Sequence, residues 1–152
     1  MSMSDLKEAF QLLEENAEAG EFSGAKPEEL VSLAEDALGL RLPPTYREFI
    51  RQLGCGDISG EEFYGLVDDN FEGSSVPNGI WLTLNERKAA DLPDSWIIVA
   101  DNGLGGWYVI DASQKNADGD SPVLDWWPGN QPPQVVAEDF GTFLLQRVRE
   151  SL

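Results

Sequence analysis

The segment LGLRLPPTYREFIRQLGCG, Leu38 to Gly56, restricts the fold more than any other stretch of the chain. Pro43 and Pro44 fix their backbone angles and lack N–H groups, a loss that costs little at a helix start. Tyr46, Phe49, Ile50 and Leu53 then follow the i, i+3, i+4, i+7 spacing of a core-facing stripe. Gly54 ends the helix, and Gly56 lets the chain turn again. Arg47, Glu48 and Arg51 fall on the wet side. The segment predicts a short amphipathic helix bounded at both ends, and every feature in it has a structural reason. Cys55, between the two glycines, has no histidine to activate it, and its neighbours are mostly acidic, not the electropositive setting of a reactive thiolate. It does not read as a nucleophile.

Two helices precede this one. Ser4 is placed to cap the first, with Leu6, Ala9, Phe10, Leu13 and Ala17 as its apolar face and Gly20 as its stop. EFSGAK reads as a loop. Pro27 opens the second helix, whose buried stripe is Leu30, Leu33, Ala34, Ala37 and Leu38, and Gly39 closes it. After Gly56 the period changes. EFYGLV, Glu62 to Val67, reads as a strand running into the acidic loop DDNFEGSS. Asn78 caps a helix over roughly Gly79 to Ala90, although WLTL also fits a strand. WIIVA and GWYVID, joined by DNGLGG, read as an antiparallel hairpin. PVLDWW is a further strand, and AEDFGTFLLQRVRESL a closing amphipathic helix with Phe140, Phe143, Leu144 and Val148 inward. Gly141 within it costs about 1 kcal/mol relative to alanine if exposed. The outline is an α+β fold in one domain, residues 1–152: N-terminal helices, an antiparallel or mixed sheet of about four to six strands, and a C-terminal helix packed on it.

Charge then narrows the function. Against 28 Asp and Glu stand 10 Lys and Arg, a formal net charge of −18 over 152 residues. That balance disfavours a nucleic-acid backbone or an anionic membrane and favours a basic partner. The absence of histidine removes the commonest general base and neutral metal ligand. One cysteine forms no internal disulfide, and the N-terminus shows no basic start followed by an apolar run, so a soluble cytoplasmic protein is expected.

No cofactor or metal is expected. DDNFEG, from Asp68, starts like a calcium loop, but the bidentate glutamate required at the twelfth position is replaced by Gly79. NADGDS, from Asn116, has Ser121 where the loop glycine belongs. One cysteine cannot build a zinc site. DNGLGG lacks a P-loop lysine and the dinucleotide spacing. No carboxylate pair is singled out by spacing, so no catalytic residue is assigned and no enzyme is expected.

Four motifs in order bring a known family into view. LGLRLPPTYREFIRQLGCG resembles the helix–turn of the SUKH superfamily. WIIVADNGLGGWYVID resembles its strand, glycine-rich turn and strand, DSPVLDWW its following strand, and VVAEDFGTFLL its terminal helix. The resemblance runs from about Glu28 to Leu145. It implies an α+β domain and, in bacteria, most often an immunity protein that neutralises a polymorphic toxin, frequently a nuclease, by binding it. The superfamily also includes fungal cell-wall-synthesis regulators and eukaryotic adaptors, so an intracellular adaptor without a toxin is the alternative.

The expected partner is a basic toxin domain, and the expected contacts are acidic loops around aromatic side chains. Asp57, Glu61 and Glu62 lie before or at the start of EFYGLV, and Asp68, Asp69 and Glu72 after it. Asp101 and Asn102 open the glycine-rich turn; Asp118 and Asp120 lie in the polar loop. Trp107 and the more exposed of Trp126 and Trp127, taken as Trp127, are candidate interface anchors.

Overall fold

The computed structural model describes residues 2–127 and 132–152. Helix α1 spans Ser2–Glu15, so Ser4 lies inside the first turn and does not cap it. Its buried face is Ser2, Leu6, Ala9 and Leu13. It stops well before Gly20, followed by a single 3-10 turn at Ala17–Ala19. Helix α2, Glu28–Leu38, ends as expected on Gly39 at φ 74°, whose N–H donates to Glu35 O. Its inward stripe is rotated from the expected one: Val31, Ala34, Glu35 and Leu38 are buried, while Leu33 is 48% exposed and Ala37 lies outside. Glu35 turns inward because it has work there. Its Oε2 accepts from Leu42 N at 2.8 Å and from Arg47 Nε at 3.3 Å, holding the loop before the prolines.

Helix α3, Pro44–Leu53, is the bounded helix of the opening segment. Tyr46, Phe49 and Ile50 are fully buried, and Leu53 is half-buried. The Tyr46 hydroxyl donates to Tyr64 O at 2.8 Å, so its burial leaves no polar group unpaired.

Among the described residues the sheet has seven strands, more than the expected four to six: β1 (Gly20–Phe22), β2 (Gly56–Ile58), β3 (Glu61–Phe63), β4 (Trp96–Asp101), β5 (Trp107–Asp111), β6 (Val123–Trp126) and β7 (Gln134–Ala137). They run in chain order and pair antiparallel throughout. The additional strands are β1, β2 and β7. The first two are three residues long, too short to show alternation, and EFSGAK hides β1 inside what reads as a loop. β7 occupies residues that look like the approach to the last helix. Strand β3 also ends earlier than EFYGLV suggests. Gly65 leaves the ladder, its N–H donating to Pro77 O at 3.1 Å. A side chain there is impossible, since a Cβ would stand 1.9 Å from Gly54 O.

Helix α4, Gly79–Ala89, fills the space beside β4 that β3 vacates. Asn78 caps it, its Oδ1 accepting from Ile80 N and Trp81 N at 3.1 Å each. Thr83 Oγ1 accepts from Ile98 N at 3.0 Å, replacing the missing ladder bond. Helix α5, Phe140–Ser151, is capped by Asp139, whose Oδ1 accepts from Thr142 N at 2.7 Å.

Alternation along the strands sends side chains to two clusters. On one face Leu6, Tyr46, Phe49, Phe63, Phe140 and Phe143, with Ile97 and Ile110, join α1, α3 and α5 to the sheet. Each large side chain buried there contributes about 1.5–3 kcal/mol. The other face carries Tyr64, Ile98, Val109 and Leu124, packed with Leu82 of α4 and Leu92. Trp81, Trp96, Trp107 and Trp126 lie over this second cluster and are half-buried.

Candidate partner-binding face

Strand register aligns acidic residues across the sheet. Glu21 stands opposite Asp57, and Asp57 opposite Glu62. Phe63 stands opposite Ala100, which sets Glu62 beside Asp101. Asp101 stands opposite Trp107, and Trp107 opposite Trp126. Opposed residues share a face, so one row crosses the sheet: four carboxylates, then two indoles. It lies on the face away from α1, α3 and α5. Like charges placed opposite each other weaken a sheet. Among the described residues none of the four forms an ion pair with lysine or arginine.

Tyr64 shares this face, two positions beyond Glu62, and its hydroxyl lies beside the row. Burial first, then the Asp101 and Glu62 charges, push its hydroxyl pKa up, so it remains a protonated donor beside Glu62. The Trp107 and Trp126 rings are 5.9 Å apart, and Trp96 meets Trp126 edge-on at 5.6 Å. Such pairs contribute about 0.5–1.5 kcal/mol beyond their burial. Two exposed aliphatics border the patch. Leu104, 73% exposed, tips the β4–β5 turn; Val135, 64% exposed, stands opposite Leu124 on the same face.

Asn102 builds that turn. Its Oδ1 accepts from Leu104 N at 2.8 Å and Gly106 N at 3.0 Å, and its Nδ2 donates to Asp125 Oδ1 at 2.9 Å. Gly106 is required, because a Cβ there would lie 2.2 Å from Trp127 Cβ and 2.4 Å from Trp126 O. The β4–β5 and β2–β3 turns together frame a cleft of about 370 Å³ lined by Glu61, Glu62, Asp101, Asn102 and Arg147.

The SUKH_6 family model, described as SMI1-KNR4 cell-wall, matches residues 28–144. The chain belongs to the SUKH family. The match opens at the first residue of α2 and closes inside α5, so it contains strands β2 to β7 and most of the face just described.

The SUKH scaffold distributes the sequence-predicted residues unequally. Asp57, Glu62, Asp101 and Trp107 come together in the row. Glu61 is adjacent in sequence but points to the helix side, where its Oε2 accepts from Arg147 Nη2 at 2.6 Å and Nε at 3.1 Å. Burial opposes the Arg147 charge, but this bond and the Glu61 charge outweigh it and raise the Arg147 pKa. Asp68, Asp69 and Glu72 form a separate group. Asp69 and Glu72 border a cleft of about 720 Å³ with Phe71, Trp81 and Lys88. Asp68 Oδ1 accepts from Asn70 N at 3.0 Å, and Trp81 Nε1 donates to Glu72 O at 3.2 Å. Asp118 is exposed and lines a small cleft with Ser2, Met3 and Pro44. Asp120 is 1% exposed and bonded to Thr45, which makes it part of the scaffold. Trp126 and Trp127 are both half-buried, and it is Trp126 that joins the aromatic patch.

Glu21, Tyr64, Trp96 and Trp126 belong to the face and were not among the sequence candidates. Glu21 was hidden by the loop reading of EFSGAK. The matching triplets GEF, GDI and EEF carry the only trace of it: each has an acid in the middle, as three paired short strands would. Among the described residues no set of three or more cysteine, aspartate or glutamate side chains is placed to hold a metal ion. Nor is any helix among them long and apolar enough to cross a membrane.

Proposed function

We propose that this SUKH domain is an immunity protein that binds a basic toxin domain, possessing or lacking nuclease activity, and neutralises it by stoichiometric occlusion. Binding, not turnover, is the mechanism. The observation that carries the reading is the row Glu21, Asp57, Glu62 and Asp101, whose charges have no cationic partner within the described chain. An uncompensated acidic row raises encounter rates with a basic surface by about 10–1000-fold and loses that advantage in salt. Membership of a family that includes toxin immunity proteins supports the same reading.

The test is a pull-down from the native cell, followed by co-expression of the captured protein with this one. One small basic protein that arrests growth alone, and is silenced by co-expression, is the expected result. Several unrelated partners, none toxic, would overturn it and point to an adaptor.

A further inference from the structure

The part of the sheet face that α4 leaves uncovered has the chemistry of a particular kind of occupant. We propose that the patch of Trp96, Trp107 and Trp126 docks an arginine-bearing loop of the partner, with Asp101 and Glu62 receiving the guanidinium. This rests on the partner-binding reading above and names the contact through which it acts.

Three observations carry it. The first is the aromatic surface. Trp126 meets both Trp96 and Trp107, and the three indoles lie half-buried on the sheet face opposite α1, α3 and α5. Tryptophan offers a large contact area at low entropic cost and dominates binding hot spots. Leu104 and Val135, both exposed, extend the apolar border on either side.

The second is the order of the row. Adjacent strands lie about 4.8 Å apart, so the Asp101 position is one strand spacing from Trp107 and the Glu62 position two. An arginine lying flat on the Trp107 ring therefore reaches Asp101 with its guanidinium. Arginine suits this better than lysine: its planar group stacks on an indole and bonds a carboxylate in two places.

The third is charge. A second copy of this chain would set one acidic row against another in a molecule of formal charge −18, so self-association through the face is opposed. The same charge opposes a nucleic-acid backbone. A basic protein loop is the occupant that complements both parts of the face.

The test uses the full chain, labelled with nitrogen-15, and an end-blocked peptide Gly-Arg-Leu-Gly-Arg-Leu-Gly. Its counterparts with lysine or glutamate at the arginine positions serve as controls. The expected result is a shift of the Trp96, Trp107 and Trp126 indole N–H signals and of the Asp101 amide. The lysine peptide should bind more weakly and the glutamate peptide not at all. Trp126→Ala, and separately Glu62→Gln with Asp101→Asn, should each weaken arginine-peptide binding by about fivefold or more. Because Trp126→Ala removes packing, the wild-type shift map stands as the measurement independent of it. Shifts centred on residues 68–72, or spread over every acidic segment, overturn the placement. So do indole signals that move with protein concentration alone, which identify a second copy as the occupant. The two readings fail separately. A toxin still silenced by Trp126→Ala removes this docking site and leaves immunity standing. A peptide mapped to this face of a protein that rescues no growth does the reverse.

Discussion

Asp120 holds Thr45 by two hydrogen bonds across 75 positions of chain: its Oδ2 accepts from Thr45 N at 3.3 Å and its Oδ1 from Thr45 Oγ1 at 3.2 Å. Thr45 Oγ1 in turn accepts from Gly141 N at 3.1 Å. One threonine hydroxyl thus joins the start of α3, the loop before β6 and the start of α5. Thr45 and Gly141 are both buried, so neither bond is replaceable by water. Thr45→Val keeps the shape and removes the hydroxyl. It leaves the Gly141 N–H unpaired, which costs about 1–3 kcal/mol. A urea titration should show a lower midpoint at unchanged slope. An unchanged midpoint would mean the bond is not formed.

The same aspartate makes stability depend on pH in the less usual direction. Burial first, and the nearby Asp139 charge, raise the Asp120 pKa above 3.8, against bonds from Thr45 and Ser121 that lower it. The folded state therefore holds this proton more tightly than the unfolded chain does. Its contribution is fully present below the unfolded pKa and is lost as pH rises through the folded pKa. Most carboxylates with perturbed pKa values have the opposite slope, Asp111 among them: burial opposes its ionisation, but bonds from Ser113, Gln114 and Ser95 prevail and lower its pKa. Comparing wild type with Asp120→Asn by urea unfolding across the acid range isolates the term. The difference in stability between the two should shift in favour of the variant as pH rises from about 3.8. A pH-independent difference removes Asp120 from the account.

Gly141 looks like a defect in the sequence and is a packing requirement in the fold. A Cβ at this position would stand 2.4 Å from Ser2 O and 3.1 Å from Thr45 Cγ2. The first of these atoms is backbone, so α1 would have to move away from α5. Alanine gains about 1 kcal/mol in helix propensity. Overpacking costs about 1–3 kcal/mol. Gly141→Ala should therefore destabilise, by up to about 2 kcal/mol, despite the better helix former. A rise in melting temperature would show that the helices can part freely.

These cases mark where the sequence could be read. Periodicity located α3 and its buried Tyr46, Phe49 and Ile50, because a run of apolar side chains at helical spacing has one good solution. The hairpin of β4 and β5 was legible from β-branched residues on either side of a glycine turn. Glu35 misled the reading of α2, since an inward glutamate makes sense only once Leu42 and Arg47 are beside it. The acidic row was illegible for a related reason. Its members come from four strands spread between Glu21 and Asp101, and only register brings them together. Asp120 shows the converse error: an acid in a polar loop looks exposed until its partner, Thr45, is known to be buried.

The acidic row also predicts a conflict between stability and binding. Asp57 stands between Glu21 and Glu62, each directly opposite. Opposed like charges on neighbouring strands cost about 0.2–1 kcal/mol. Asp57→Asn removes the charge and retains the oxygen that accepts from Gly60 N at 3.4 Å. The variant should be more stable than wild type in urea at low ionic strength, by about 0.2–1 kcal/mol. The gain should shrink as salt screens the row, since the Debye length falls to about 3 Å at 1 M. Association with a basic partner should move the other way. Stopped-flow mixing at low salt should give a slower on-rate for Asp57→Asn, slower again when Glu62→Gln is added, with a flatter dependence on ionic strength each time. A variant that gains stability yet associates as fast as wild type would show that the row repels itself without attracting anything, and the charge would then have no part in recognition.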